Sequence, residues 1–223
     1  KILIIGCGHM GSALLKAWCK NTSYSFAVVD PFEYKKIKKK FNGRVKAYKS
    51  ENQIADILIY DLILFSIKPQ IAEKVLINFK KYKFNSKTIF LSIVAGKRIS
   101  FFNKYLPNNN KFIRAMPNMP ALINMGMTCL VGNKKVSSSD KKKIKLLFDV
   151  VGKTLWLSSE HQINKVTAIS GSGPGYIFLI IDAFVKAALK LGLNSKATQQ
   201  LVYQTFLGSI NLLLKEKKSP KVL

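Results

Sequence analysis

The sequence predicts an α/β architecture in two parts, a doubly wound sheet followed by a domain of helices alone. Three observations carry this. The chain opens on an apolar run, Ile2 to Ile5, that passes directly into Gly6-Cys7-Gly8-His9-Met10-Gly11 and then into a helix-forming stretch beginning near Ser12. Strand-like and helix-like segments then alternate as far as Leu157, the pattern of a sheet with helices packed on both faces. From Ser158 onward only helical patterns occur, so we divide the chain into residues 1–158 and 159–223.

The first element explains itself through its glycines. Gly6, Gly8 and Gly11 have the spacing G-x-G-x-x-G. In that pattern the first glycine allows a tight turn, the second lets backbone approach a pyrophosphate, and the third lets the helix pack on the strand. The helix N-terminus then faces the phosphates. Because the motif stands between a strand and a helix, as its mechanism requires, it implies a Rossmann-type dinucleotide-binding domain. Residues 25–30 give the second strand and complete a β-α-β unit. Asp30 ends that strand where an adenosine ribose would lie. A carboxylate there favours NADH, because it accepts ribose hydroxyls and repels a 2′-phosphate. Nearby Lys35, Lys36 and Lys38 act in the opposite direction, so both cofactors stay open. Asp30 also has a plainer reading as a turn former at a strand end.

Residues 32–41 read as a lysine-faced helix, 45–48 as a short strand and 51–60 as a helical connection. Residues 61–67 form a near-continuous apolar strand, of the kind buried on both faces of a parallel sheet. It stops at Lys68-Pro69. A helix over 71–79 follows, then a strand over 88–93 ending in Val94-Ala95-Gly96, a short helix over 99–105 and a turn at 108–110. Lys111-Phe-Ile-Arg-Ala115 is a strand broken by Met116-Pro117-Asn118-Met119-Pro120. Two more strands, 127–131 and 154–157, flank a helix over 140–151 with a lysine-rich outer side. Loops 6–11, 66–69, 94–96 and 116–120 all follow strands, and a doubly wound fold gathers such loops at the carboxyl edge of its sheet, where ligands bind.

In the helical part, Gly171-Ser172-Gly173-Pro174-Gly175 opens a helix, with Pro174 suited to its first turn. Residues 176–191 are apolar nearly all round, relieved only by Asp182, Lys186 and Lys190, and a helix of that kind is expected to be buried. Gly192 ends it, Asn194 or Ser195 caps the next, and 201–214 carries a second apolar surface. Two helices cannot cover that much apolar surface between them, which points to subunit association or further chain.

Composition narrows the partners. Lys and Arg number 37 against 11 Asp and Glu, a net charge of +26, which would suit nucleic acid or an anionic membrane. The excess is lysine in short clusters at 35–40, 141–143 and 215–218, with no Arg-rich arm, zinc spacing or aromatic RNA-binding signature. It therefore reads as a solvated coat, and nucleic acid is set aside as a partner. Cys7, Cys19 and Cys129 show neither C-x-x-C nor framework spacing, so no disulfide scaffold or metal site is expected and a reducing cytoplasm fits. Cys7 reads as a small packing residue inside the turn. His9 and His161 are too few for a histidine metal site, and His161 reads as a surface residue at the domain boundary. No uninterrupted run approaches the roughly 20 apolar residues of a membrane span, and the N-terminus carries a strand rather than a signal peptide.

Taken together, Gly6-Cys-Gly-His-Met-Gly-Ser-Ala13, Ser66-Ile-Lys-Pro69, Arg114-Ala-Met-Pro-Asn-Met-Pro120 with Gly126, and Thr167-Ala-Ile-Ser-Gly-Ser-Gly-Pro-Gly-Tyr176 resemble pyrroline-5-carboxylate reductase. That family makes proline by reducing a cyclic imine, the last step of proline biosynthesis, with a nicotinamide cofactor. The order and spacing cover nearly the whole chain, and the last two motifs are more specific than the glycine turn. The resemblance implies that Gly6, Gly8, His9, Met10, Gly11, Ser66, Ile67, Lys68 and Pro69 hold NADPH or NADH, with Val94, Ala95 and Gly96 close to its nicotinamide side. It places Pro117 and Asn118 toward the nicotinamide, and Ser172, Gly173 and Pro174 in a loop on the active-site floor. It also implies a homodimer or higher homo-oligomer. Family members continue past the equivalent of Leu223 with a Ser-Pro-Gly-Gly-Thr-Thr segment and more helices. Those bind the substrate carboxylate, include the threonine proposed to meet the imine nitrogen, and build the dimer. The helical domain is therefore expected to be incomplete, and no catalytic donor is assigned within residues 1–223.

Imine reduction asks little acid–base chemistry of a protein, since a protonated iminium is already electrophilic and the cofactor supplies hydride, so positioning should dominate. Two other readings compete. Related NAD(P)-dependent hydroxyacid dehydrogenases need a base and carry a catalytic lysine at the glycine-containing helix start, whereas here the first lysine after Tyr176 is Lys186. A basic Rossmann-type binding or regulatory protein is the other.

Overall fold

In the computed structural model, which describes residues 1–41, 43–107 and 110–223, eight strands form one sheet. They are β1 (Ile2–Ile5), β2 (Phe26–Val29), β3 (Val45–Tyr48), β4 (Leu62–Phe65), β5 (Ile89–Ser92), β6 (Lys111–Met116), β7 (Gly126–Gly132) and β8 (Gly152–Trp156). Their order is β3-β2-β1-β4-β5-β6-β7-β8. Every pairing from β3 through β6 is parallel. The order reverses between β2 and β4 on either side of β1, which leaves a crevice at their carboxyl ends. Asn108 and Asn109 of the expected turn lie outside the described residues.

All residues of β1, β2, β4 and β5 are buried, as their unbroken Val, Ile, Leu and Phe content anticipates. Alternate residues feed two cores. Ile2, Ile4, Val28, Leu64 and Leu91 face one side. There they meet Leu14, Leu15 and Trp18 of α1 (His9–Asn21), Ile37 of α2 (Tyr34–Phe41), and Leu147 and Phe148 of α5 (Ser138–Asp149). Leu3, Ile5, Val29, Ile63, Phe65 and Phe90 face the other, against Leu76 of α3 (Ala72–Ile77) and Phe102 of α4 (Ile99–Phe102). Trp18 Nε1 is satisfied by the Leu147 carbonyl at 2.6 Å, which ties α1 to α5.

Three features differ from the sequence expectation. First, β7 runs antiparallel to β6. The connection over 117–125 holds only a short 3-10 turn, Met119–Ile123, and a parallel return would need a crossover of a dozen or more residues. Second, the expected helical piece over 51–60 is a 3-10 turn at Glu51–Gln53 followed by irregular chain. Ile54, Ile57 and Tyr60 are buried at three-residue intervals, a spacing that imitates a helix face. Third, the apolar helix expected to be buried is not. It is α7 (Gly173–Lys190), none of whose residues is buried.

Contacts divide the chain into two compact units, Lys1–Gly171 and Ser172–Leu223. The first thus includes α6 (Gln162–Val166) and a π turn, Thr167–Gly171. In the second, α7 packs on α8 (Ser195–Glu216), with Phe184 edge-on to Phe206 at 5.2 Å. Gly192 (φ +86°) follows α7, and Asn194 caps α8 by accepting the Ala197 N–H at 2.9 Å. Only Thr198 and Val202 are buried there. The helical stretch Gln162–Lys190, at a mean hydropathy of 1.4, is long and apolar enough by length and composition to cross a membrane. Asp182, Lys186 and Lys190 interrupt its apolar run.

Candidate functional site

The glycine turn has three differently used positions. Gly6 has φ +86°, and a Cβ there would stand 2.6 Å from both Ile67 Cγ2 and the Ser66 carbonyl oxygen. At Gly11 a Cβ would stand 2.6 Å from Ser66 Oγ and 2.9 Å from the Gly6 carbonyl oxygen. These two glycines therefore press the turn and α1 against the end of β4. Around Gly8 nothing lies within 4 Å of a Cβ position, so backbone is open there. Gly8 is also the N-cap of α1, which among the described residues has no side-chain cap and no acid in its first turn. Helix N–H groups left without side-chain acceptors are a binding site for an anion.

Asp30 fastens this turn from the neighbouring strand. Its buried carboxylate accepts the Cys7 N–H at 2.7 Å and the Phe32 and Glu33 N–H groups at 2.9 Å each. Three of the roughly four acceptor positions of a carboxylate are thus in use, which displays the turn-forming role. Burial, then the charge of Asp30, pushes the Cys7 thiol up to about 12. It stays a neutral packing group at any physiological pH.

The other sequence-predicted loops follow β4, β5 and β6 along the same edge. Ser66 donates its N–H to the Ile5 carbonyl at 2.8 Å, and Ser66 and Ile67 touch the glycine turn as described. Lys68 is exposed and Pro69 half-buried. Val94 is buried and donates its N–H to Ser92 Oγ at 3.1 Å, while Ala95 and Gly96 are exposed, Gly96 at φ +72°. Pro117 and Asn118 are buried, and His9 and Met10 sit at the start of α1. Ser172, Gly173 and Pro174 belong to the second unit, where Ser172 is the N-cap of α7 and Pro174 lies in its first turn. His161 is exposed.

Two polar ties escaped the sequence reading. Arg114, almost fully buried on β6, pairs with Glu160 at 3.2 Å, and the same Glu160 oxygen accepts the Ile99 N–H at 2.8 Å. This joins the start of α4, just after loop 94–96, to β6. Asn118 spans the Met127 N–H and the Ser170 carbonyl. Both ties link residues far apart in sequence, and only the coincidence of buried polar types inside apolar context hints at them.

Two half-open clefts, of about 390 and 410 Å³, are lined by residues such as Phe26, Lys46, Ile2, Leu62, Ile89 and Lys111. Those residues stand at or next to the starts of their strands, so the clefts lie at the opposite, amino edge of the sheet. The glycine turn and helix N-terminus single out the carboxyl edge instead.

Known proteins resemble both parts. Residues 160–223 match the family model described as pyrroline-5-carboxylate reductase dimerisation, and residues 1–96 the one described as NADP oxidoreductase, coenzyme F420-dependent. A pyrroline-5-carboxylate reductase of Haemophilus influenzae is 32% identical over 95% of this chain and 78% of its own length. The crystal structure of 1-pyrroline-5-carboxylate reductase from Streptococcus pyogenes matches at a TM-score of 0.85 and 31% identity, covering 99% of this chain and 82% of that one. The Plasmodium falciparum pyrroline carboxylate reductase, crystallised with NADP bound, matches at 0.83 and 30% identity over 99% of this chain and 79% of its own.

Proposed function

This chain belongs to the pyrroline-5-carboxylate reductase family, and we propose how its own residues serve that reaction. It is an NAD(P)H-dependent oxidoreductase that reduces 1-pyrroline-5-carboxylate to L-proline.

The observation that carries the site assignment is the glycine cradle. It fits a dinucleotide because the approach at Gly8 is open where Gly6 and Gly11 are closed, and because no side chain competes for the first turn of α1 among the described residues. We assign the pyrophosphate to the backbone of Gly6, Gly8, His9, Met10 and Gly11. Ser66, Ile67, Lys68 and Pro69 form the adjoining wall, with Lys68 adding a cation beside an anionic ligand. Val94, Ala95, Gly96 and Pro117 line the nicotinamide side. Asp30 acts first by holding the turn in its binding shape, and its remaining acceptor position serves the ribose. When bound, NAD(P)H supplies the hydride. The chain's contribution is orientation of the two reactants and exclusion of water, which can account for a large part of such a rate enhancement. No proton donor is assigned within residues 1–223.

We assign residues 159–223 to subunit association and the substrate side. Homo-oligomerisation accords with the dimerisation family model, and we propose a homodimer as its smallest unit. The exposed apolar surface of α7 supports this use over a membrane span, since the matched model covers the same residues. Three free, buried cysteines support a cytoplasmic setting.

The test is turnover of 1-pyrroline-5-carboxylate with NADPH or NADH, following nicotinamide absorbance and proline formation. Substrate-dependent oxidation with stoichiometric proline is expected. No turnover with either cofactor would contradict the assignment.

A further inference from the structure

Between α6 and α7 the helical path widens into the π turn Thr167–Gly171. A π turn holds more residues than an α turn, so some carbonyls lose their regular partners, and such turns recur at functional positions. Three side-chain donors secure this one. Thr167 Oγ1 donates to the Ile163 carbonyl at 2.6 Å, and Ser170 Oγ to the Val166 carbonyl at 3.0 Å. Both are local back-bonds of the kind that Ser and Thr make in helices. The third donor is 52 residues away in sequence: Asn118 Nδ2 donates to the Ser170 carbonyl at 2.9 Å.

Asn118 cannot turn to another task without loss. Its Oδ1 accepts the Met127 N–H at 2.8 Å, so both ends of its buried amide are engaged and the orientation is fixed by the donors and acceptors it meets. Close packing supplements the bridge. A Cβ on Gly171 would stand 3.0 Å from Met116 Cε and 3.2 Å from Thr167 Cγ2, so the end of the π turn rests on the last residue of β6. The strand-end loop at 116–118 and the π turn are therefore held together by one amide bridge and one glycine contact. Ser172, Gly173 and Pro174 follow the turn directly.

We infer that Asn118 is a positioning residue for imine reduction. Its carboxamide fixes the π turn Thr167–Gly171 against the strand-end loop on the nicotinamide side. It acts through the Ser170 carbonyl and does not touch the cofactor. This rests on the reading of loop 116–118 as part of the imine reductase site.

The variant Asn118→Asp isolates the bridge, because its carboxylate still accepts the Met127 N–H but offers no donor to Ser170. Gly171→Ala disturbs the same turn from its other support. In the full-length protein each is expected to lower kcat/KM for 1-pyrroline-5-carboxylate about tenfold or more, since small misplacements of reacting groups are costly. The NADPH Kd stays unchanged, amide hydrogen exchange accelerates over 167–171 and not over 6–11, and the double variant is less than additive. A NADPH Kd that rises in step with the loss of kcat/KM would overturn the inference in favour of a direct cofactor contact. Unchanged exchange over 167–171, or a lowered melting temperature with unaltered kinetics, would also overturn it. Absence of wild-type turnover would sink the imine reductase reading instead, and the exchange comparison would still decide whether Asn118 holds the turn.

Discussion

The sheet unit and the helical unit treat apolar sequence in opposite ways. Phe65 on β4 is fully buried, with Phe79, Phe90 and Phe102 at ring-centroid distances of 5.7 to 6.3 Å. Leu179 on α7 is 69% exposed, and no residue of that helix is buried. Hydrophobicity does not separate the two regions. Partnering does: each sheet face is covered by helices of the sheet unit, whereas α7 packs on α8 and none of its residues is buried. The sheet unit buries its own core, whereas the helical unit carries an exposed apolar surface, and its match to a dimerisation family accords with homo-oligomerisation.

The largest expected effect attacks the self-sufficient side. Phe65→Ala should cost about 3–5 kcal/mol of stability by opening a cavity. Chemical denaturation of the sheet unit should show this at every protein concentration, and a loss that vanishes on dilution would break the contrast. Gly6→Ala comes next, at about 1–3 kcal/mol, the usual price of a residue held in a sparsely populated backbone region, with added crowding against Ile67 and Ser66. Gly8→Ala sharpens it: calorimetry should find the melting temperature unchanged and the cofactor affinity reduced.

On the other side, Leu179→Asp should leave the sheet unit within about 0.5 kcal/mol of wild type, as for an exposed position, while sedimentation velocity shows smaller species. An unchanged sedimentation coefficient would say that α7 is not the interface. The smallest effect is a pH dependence. Burial raises the Asp140 carboxyl, but hydrogen bonds from Ser137 and Lys111 outweigh it, so its pKa lies below the ordinary carboxylate value. A depressed folded-state pKa gives stability that is complete above the unfolded value, about 4, and lost as pH falls through the lower folded one. Asp140→Asn should flatten that acid limb in a pH series of melting temperatures.

Much of the sheet unit was legible because its signals are local. Unbroken apolar runs marked β1, β2, β4 and β5, and glycine or proline marked loops 6–11, 66–69, 94–96 and 116–120. The direction of β7 was not legible, since it depends on how far nine-residue-scale connections such as 117–125 can reach. Three-residue spacing of Ile54, Ile57 and Tyr60 misled because irregular chain can bury every third residue too. The partners of Asp30, Arg114 and Asn118 were invisible for a different reason. Their hydrogen bonds join separate strand ends, and a sequence shows which groups need partners without showing which ones they meet. The apolar character of α7 was evident, but only the fold reveals that none of its residues is buried.

The contrast between the units is tested most directly by measuring turnover of 1-pyrroline-5-carboxylate and NADPH affinity together across a dilution series that dissociates the oligomer. Turnover per subunit should fall with dissociation while the NADPH Kd stays constant, because the cofactor cradle lies within one self-sufficient unit. Full turnover by the dissociated subunit, or a Kd that weakens in parallel, would contradict it.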